Sequence, residues 1–180
     1  GGGTHTYVLQ NDGDVMMNGD QSQGFGLNLF RTSNIVAQAK NTSNLTLNGK
    51  ESYGMAIGQN KKFKTGSYLE NTGTITTIKE DSGGFAAQSA IEKIRNNGTI
   101  DISGDNSFGM YSKVAGSGKV GTYINDTGGK INIKDSAQNS VGLRTEDSDD
   151  EIVNKGKVNI SSTGTYNIGL FTLAGTVKND

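Results

Sequence analysis

The sequence predicts an all-β protein, a right-handed parallel β-helix of about six turns with three short strands per turn. Three observations predict it: a unit recurring every 25 to 30 residues, an apolar period of two inside the unit, and no proline in 180 residues. A fixed period of that length marks solenoids, whose units bury their apolar faces on one another. The period of two marks strands rather than helices. Average usage would give about nine prolines, and their absence suits backbone that is hydrogen-bonded on both sides.

The unit is plainest in NNGTIDISGDNSFGMYS, Asn96 to Ser112. It recurs as NDGDVMMNGDQSQGFGL from Asn11, NTSNLTLNGKESYGMAI from Asn41, NTGTITTIKEDSGGFAA from Asn71, NDTGGKINIKDSAQNSVGL from Asn125 and NKGKVNISSTGTYNIGL from Asn154. A further copy begins at Asn179, and successive starts lie 30, 30, 25, 29, 29 and 25 residues apart. The strand after each starting Asn turns Val15 and Met17, Leu45 and Leu47, Ile75, Ile100 and Ile102, Ile131 and Ile133, and Val158 and Ile160 inward. The next strand is expected to do the same with Phe25 and Leu27, Tyr53 and Met55, Phe85, Phe108 and Met110, Val141 and Leu143, and Ile168 and Leu170. A weaker strand precedes each Asn, through Leu9, Ala39, Leu69, Ile94, Tyr123, Ile152 and Val177. Each strand meets its own copy one period later, so pairing is parallel, and parallel crossovers are right-handed.

Asn tolerates left-handed backbone and bonds its own turn, so Asn11, Asn41, Asn71, Asn96, Asn125 and Asn154 are expected to stack as a structural turn ladder. The recurrent Gly24, Gly54, Gly84, Gly109, Gly142 and Gly169 is expected to face out or to bend its strand. One stretch competes with the repeat. FAAQSAIEKIRNNG, from Phe85 to Gly98, has Ile91 and Ile94 at helical spacing and a glycine where a helix would stop, but the repeat phase favours strands there.

Only 32% of residues are hydrophobic and 27 are glycine, too little for a conventional spherical core. A net charge of -1 and frequent Ile, Val and Thr argue against disorder. No basic excess exists to neutralise phosphates, so nucleic acid is not an expected partner. Zero Cys leaves neither disulfides nor thiolate metal sites. The single His, His5, lies in a glycine-led stretch, residues 1–6, that reads as an addition to the repeat; no Ser/His/Asp triad or His-rich metal site is expected. Outward Asp14, Thr46, Thr76, Asp101, Asn132 and Asn159 give only isolated acids, so no catalytic residues, cofactor or metal are expected and the chain is not read as an enzyme.

Two charged stretches stand out, one as a candidate partner contact and one as a candidate calcium site. Lys61, Lys62, Phe63 and Lys64 form KKFK in the long connection of the second unit, a solvated loop with an exposed Phe63 that could meet an anionic or sugar partner. EDSDDE, Glu146 to Glu151, is dense in carboxylates but lacks the spacing of an EF-hand loop or a calcium β-roll, so it reads as a solvated loop.

The unit N-x-G-T-I-x-I-x-G-x-x-S-x-G-M-Y resembles the passenger-domain repeats of large fusobacterial-type autotransporter adhesins, over essentially Tyr7 to Asp180. The resemblance implies one β-helix segment, residues 1–180, of a longer type V secreted passenger. That passenger would be displayed at the cell surface and held to the outer membrane through a C-terminal β-barrel outside this sequence. It implies attachment to other bacteria, as in coaggregation, or to host cells, through a protein or glycan receptor. Two rival expectations stand beside it: a non-binding stalk, and a β-helix enzyme acting on polysaccharide.

Overall fold

A computed structural model describes residues 3–27, 34–58, 63–114 and 118–180. The first turn comprises β1 (His5–Asn11), β2 (Val15–Met17) and β3 (Gln23–Leu27), and the second β4 (Ile35–Asn41), β5 (Asn44–Leu47) and β6 (Tyr53–Ile57). The third comprises β7 (Tyr68–Asn71), β8 (Thr74–Thr77) and β9 (Gly83–Ala87), and the fourth β10 (Lys93–Asn96), β11 (Thr99–Ile102) and β12 (Phe108–Ser112). β13 (Thr122–Asn125) and β14 (Lys130–Ile133) lead into β15 (Val141–Asn154), which turns the corner unbroken; β16 (Lys157–Ile160) and β17 (Ile168–Asn179) complete the coil.

Each strand pairs in parallel with its own copy one turn away, as in β2-β5-β8-β11-β14-β16. The fold is therefore a right-handed parallel β-helix. No helix forms between Phe85 and Gly98: Phe85 belongs to β9 and Ile94 to β10, while Ile91 and Ile94 are both buried in the coil. Tertiary stacking has overridden local helix propensity.

Stacked apolar columns fill the interior. Leu45, Ile75, Ile100 and Ile131 align across one sheet, and Phe25, Met55, Phe85, Met110 and Leu143 across another. Leu69, Ile75, Phe85, Ile100, Ile131 and Leu143 are fully buried. Cover comes only from neighbouring turns, so Val15 is 37% and Ile160 46% exposed at the outermost described turns.

The second strand of the unit departs from simple alternation. Register runs Phe108 to Val141 and then Met110 to Leu143, skipping the intervening glycines. Gly and the residue after it both turn inward and the residue before it turns out, a kink that every strand of the row shares in constant register. A Cβ on Gly84 would lie 2.7 Å from Ile100 Cγ2 and 2.6 Å from the Gly109 carbonyl oxygen. The glycine row thus lies against the opposite apolar column and does not face solvent. Tyr53 and Phe108, expected inward, stand on the outer surface and stack over Gly83 with ring centroids 5.7 Å apart. In the neighbouring sheet Met16, rather than Asp14, heads the outward row containing Thr46, Thr76, Asp101, Asn132 and Asn159.

Two corners are tied by polar rows. Each Asn Nδ2 donates to the Oδ1 of the next, from Asn11 through Asn41, Asn71, Asn96, Asn125 and Asn154 to Asn179, at 2.7–2.8 Å. Asn41 to Asn125 are completely buried, so each amide needs these partners. At the other corner the backbone N–H of Ser22, Ser52, Ser82 and Ser107 donates to the hydroxyl of the serine one turn on. The preceding residues, Gln21, Glu51, Asp81, Asn106 and Asn139, have φ of 51 to 58° and make the sharp left-handed corner.

Candidate functional site

The outer surface of the third sheet, built from β3, β6, β9, β12 and the starts of β15 and β17, carries four aromatic side chains among the described residues, Tyr53, Phe108, Tyr111 and Phe171. Two outward columns flank the glycine kink. One is Gln23, Tyr53, Gly83, Phe108 and Val141; the other is Gly26, Ala56, Ala86, Tyr111, Arg144 and Phe171. Because the columns follow strand register, their side chains are held by the rod and not by a loop. Phe108 contacts Tyr111 at 5.1 Å between centroids, continuing the Tyr53–Phe108 stack. Beyond Tyr111 the Arg144 guanidinium lies 5.9 Å from the Tyr111 ring and 5.7 Å from the Phe171 ring, a cation–π sandwich.

Charges beside this stripe are paired, two cations sharing one carboxylate. Glu146 receives Arg144, the Tyr111 hydroxyl at 3.1 Å and Lys113 Nζ at 3.4 Å. Burial pushes the Glu146 carboxyl up, but the Arg144 charge and these hydrogen bonds outweigh it and hold it below the usual range. Burial, followed by the Glu146 charge and its hydrogen bond, drives the Tyr111 phenol far above its ordinary value. Burial also raises the Tyr53 phenol, with Glu51 and Asp81 adding to it. Both rings therefore stay neutral across physiological pH.

Beside the rings runs a shallow trough, floored by Ala56 and Ala86, walled by Tyr53 and Phe108, and closed by Gln23 at one end and Tyr111 at the other. Gln88 borders it as well. Strict alternation concealed this site, because it assigned Tyr53 and Phe108 to the core. Gln23 was the available signal: it shares their register position and is a poor core residue.

The KKFK stretch behaves otherwise. Lys61 and Lys62 lie outside the described residues. Phe63, expected to be exposed, is only 3% exposed and belongs to the apolar core; its N–H donates to the Ala90 carbonyl at 3.0 Å, which draws the connection inward. Lys64 is half-buried and its Nζ reaches Thr4 Oγ1 at 3.2 Å.

The acidic stretch is also no simple loop, since β15 runs through it. Asp150 is 3% exposed and accepts from Ser112 Oγ at 2.7 Å and the Val114 N–H at 3.1 Å, both on Oδ2. Its Oδ1 is buried without a hydrogen-bond partner among the described residues. Among the described residues no group of three or more His, Cys, Asp or Glu is placed to hold a metal ion. Burial raises the Asp150 carboxyl, the two donors oppose this, and Asp147 and Asp149 add to the rise. The folded chain then holds this proton more tightly than the unfolded chain. Ionisation of Asp150 therefore costs stability at neutral pH, and the loss is recovered as pH falls through the raised value towards 3.8. Asp150→Asn should melt at a higher temperature than wild type at pH 7, with the gap closing as pH approaches 4. A gap independent of pH would contradict this assignment.

No curated protein and no solved structure matches the chain. A family model described as the BigA fourth domain matches residues 44–165, a match that suggests an adhesin-like bacterial surface protein. That span covers the repeats whose outer columns build the aromatic stripe and takes in well over half of the sequence, so the chain belongs to the BigA fourth domain family.

Proposed function

We propose that this chain is a rigid attachment segment of a bacterial adhesin, which meets a receptor on a host cell or another bacterium through the outer surface of its third sheet. The observation that carries this reading is the Tyr53–Phe108–Tyr111 stripe, outward aromatic area that the coil places at fixed spacing without using it in the core. Exposed aromatic clusters on rigid supports are characteristic of recognition surfaces. The repeat class further supports display as an autotransporter passenger, exported by type V secretion and anchored in the outer membrane by a β-barrel outside this sequence. A stalk is the rival reading. It is favoured by the sheet of β2, β5, β8, β11, β14 and β16, whose outward row holds Thr46, Thr76, Asp101 and Asn132 and no aromatic residue.

Binding of the purified, folded chain to host cells and partner bacteria tests the proposal. Saturable binding is expected, weakened at least tenfold by Phe108→Ala together with Tyr53→Ala. Lys61→Ser, Lys62→Ser and Lys64→Ser combined test the other candidate surface and omit Phe63, which the core requires. A folded chain that binds no cells is a stalk.

A further inference from the structure

The trough beside the aromatic stripe has a specific chemistry. Gly26, Ala56 and Ala86 share one register column, but the Gln23 side chain folds over Gly26, so two successive turns, at Ala56 and Ala86, present only a methyl group, and Tyr111 closes the row on the next. With turns about 4.8 Å apart this floor is roughly 5 Å long, the span of a single pyranose ring. Tyr53 and Phe108 overhang it from the adjacent column. The polar groups at its margins are uncommitted: the side chains of Gln23 and Gln88 and the Tyr53 hydroxyl make no hydrogen bond among the described residues. No formal charge lines the trough, because Arg144, Glu146 and Lys113 pair with one another beyond Tyr111.

We infer that this trough is a binding site for a short neutral oligosaccharide. The inference rests on the attachment reading above and names its receptor chemistry. A pyranose has an apolar face of C–H groups and a rim of hydroxyls. The C–H face suits the negative face of the Tyr53 and Phe108 rings, and the hydroxyl rim suits amides that both donate and accept. An uncharged lining gives an acidic sugar no counterion, whereas it costs a neutral one nothing in charge desolvation. A peptide strand is disfavoured because β6, β9 and β12 already pair on both sides, leaving no edge to extend.

The test is titration of the whole 180-residue chain with neutral and acidic oligosaccharides, read by NMR chemical-shift changes, beside the cell-binding assay. Wild type should bind neutral oligosaccharides saturably and acidic ones more weakly. Ala56→Arg fills the floor, and Phe108→Ala removes a wall; each should weaken binding at least tenfold while circular dichroism and melting show a folded coil. Cell attachment unchanged by Ala56→Arg, with no neutral oligosaccharide bound, overturns the inference and leaves the attachment reading standing. A proline-rich peptide that binds where oligosaccharides do not also overturns it. Oligosaccharide binding lost in both variants, without any cell attachment, upholds the site and sinks the attachment reading.

Discussion

Ile100→Asp unfolds the central turns of the coil, at a cost of about 4 kcal/mol or more. Ile100 is fully buried and aligned between Ile75 and Ile131, which are also fully buried. The substitution removes the apolar volume that joins three turns and leaves a carboxylate among side chains that cannot donate to it. Protonation would relieve the charge but not the missing hydrogen bonds. Since each turn is covered only by its neighbours, damage at the fourth turn exposes the third and fifth as well. A melting temperature indistinguishable from wild type would refute the inward facing of this column.

The second large effect is expected at Gly84. Gly84→Val should cost about 3 kcal/mol, at the upper end for overpacking, because one of the atoms met is backbone and cannot rotate away. A Cβ there would lie 2.6 Å from the Gly109 carbonyl oxygen and 2.7 and 2.9 Å from Ile100 Cγ2 and Cδ1. The same substitution separates two pictures of the glycine row. A glycine facing solvent on a strand would accept Val with neutral or favourable effect, since β-branched residues suit strands. Urea denaturation of the variant therefore decides whether the row is a packing seam or an outer strip.

How far the sequence reaches is clear from these residues. The coil was legible because Ile100, Ile131 and Leu45 recur in phase, and phase is a property of the sequence itself. The facing of Tyr53 and Phe108 was not, because alternation holds only while the ladder is regular, and the kink at Gly54 and Gly109 shifts the pleat. Phe63 misled for a related reason: three lysines around it suggest water, yet its own ring is buried in the core, and no local pattern encodes that burial. The serine row was present in the repeat motif as a letter without a role, since its contacts run from a backbone N–H to a side chain one turn away. The trough depends on what two separated turns lack, anything beyond a methyl at Ala56 and Ala86, and such an absence becomes visible only when register sets them side by side.

The asparagine row has a mechanical consequence. Its amide bonds, like the ladder bonds, join one turn to the next and so lie along the rod. Tension applied along that axis opens them turn by turn, in the manner of a zipper, and does not shear many at once. Each released turn of 25 to 30 residues gives up about 4.8 Å of height and yields roughly 80 to 110 Å of extended chain. A rod built this way is stiff under compression and bending but lengthens in discrete steps under load, absorbing energy at every step while the remaining turns keep their shape.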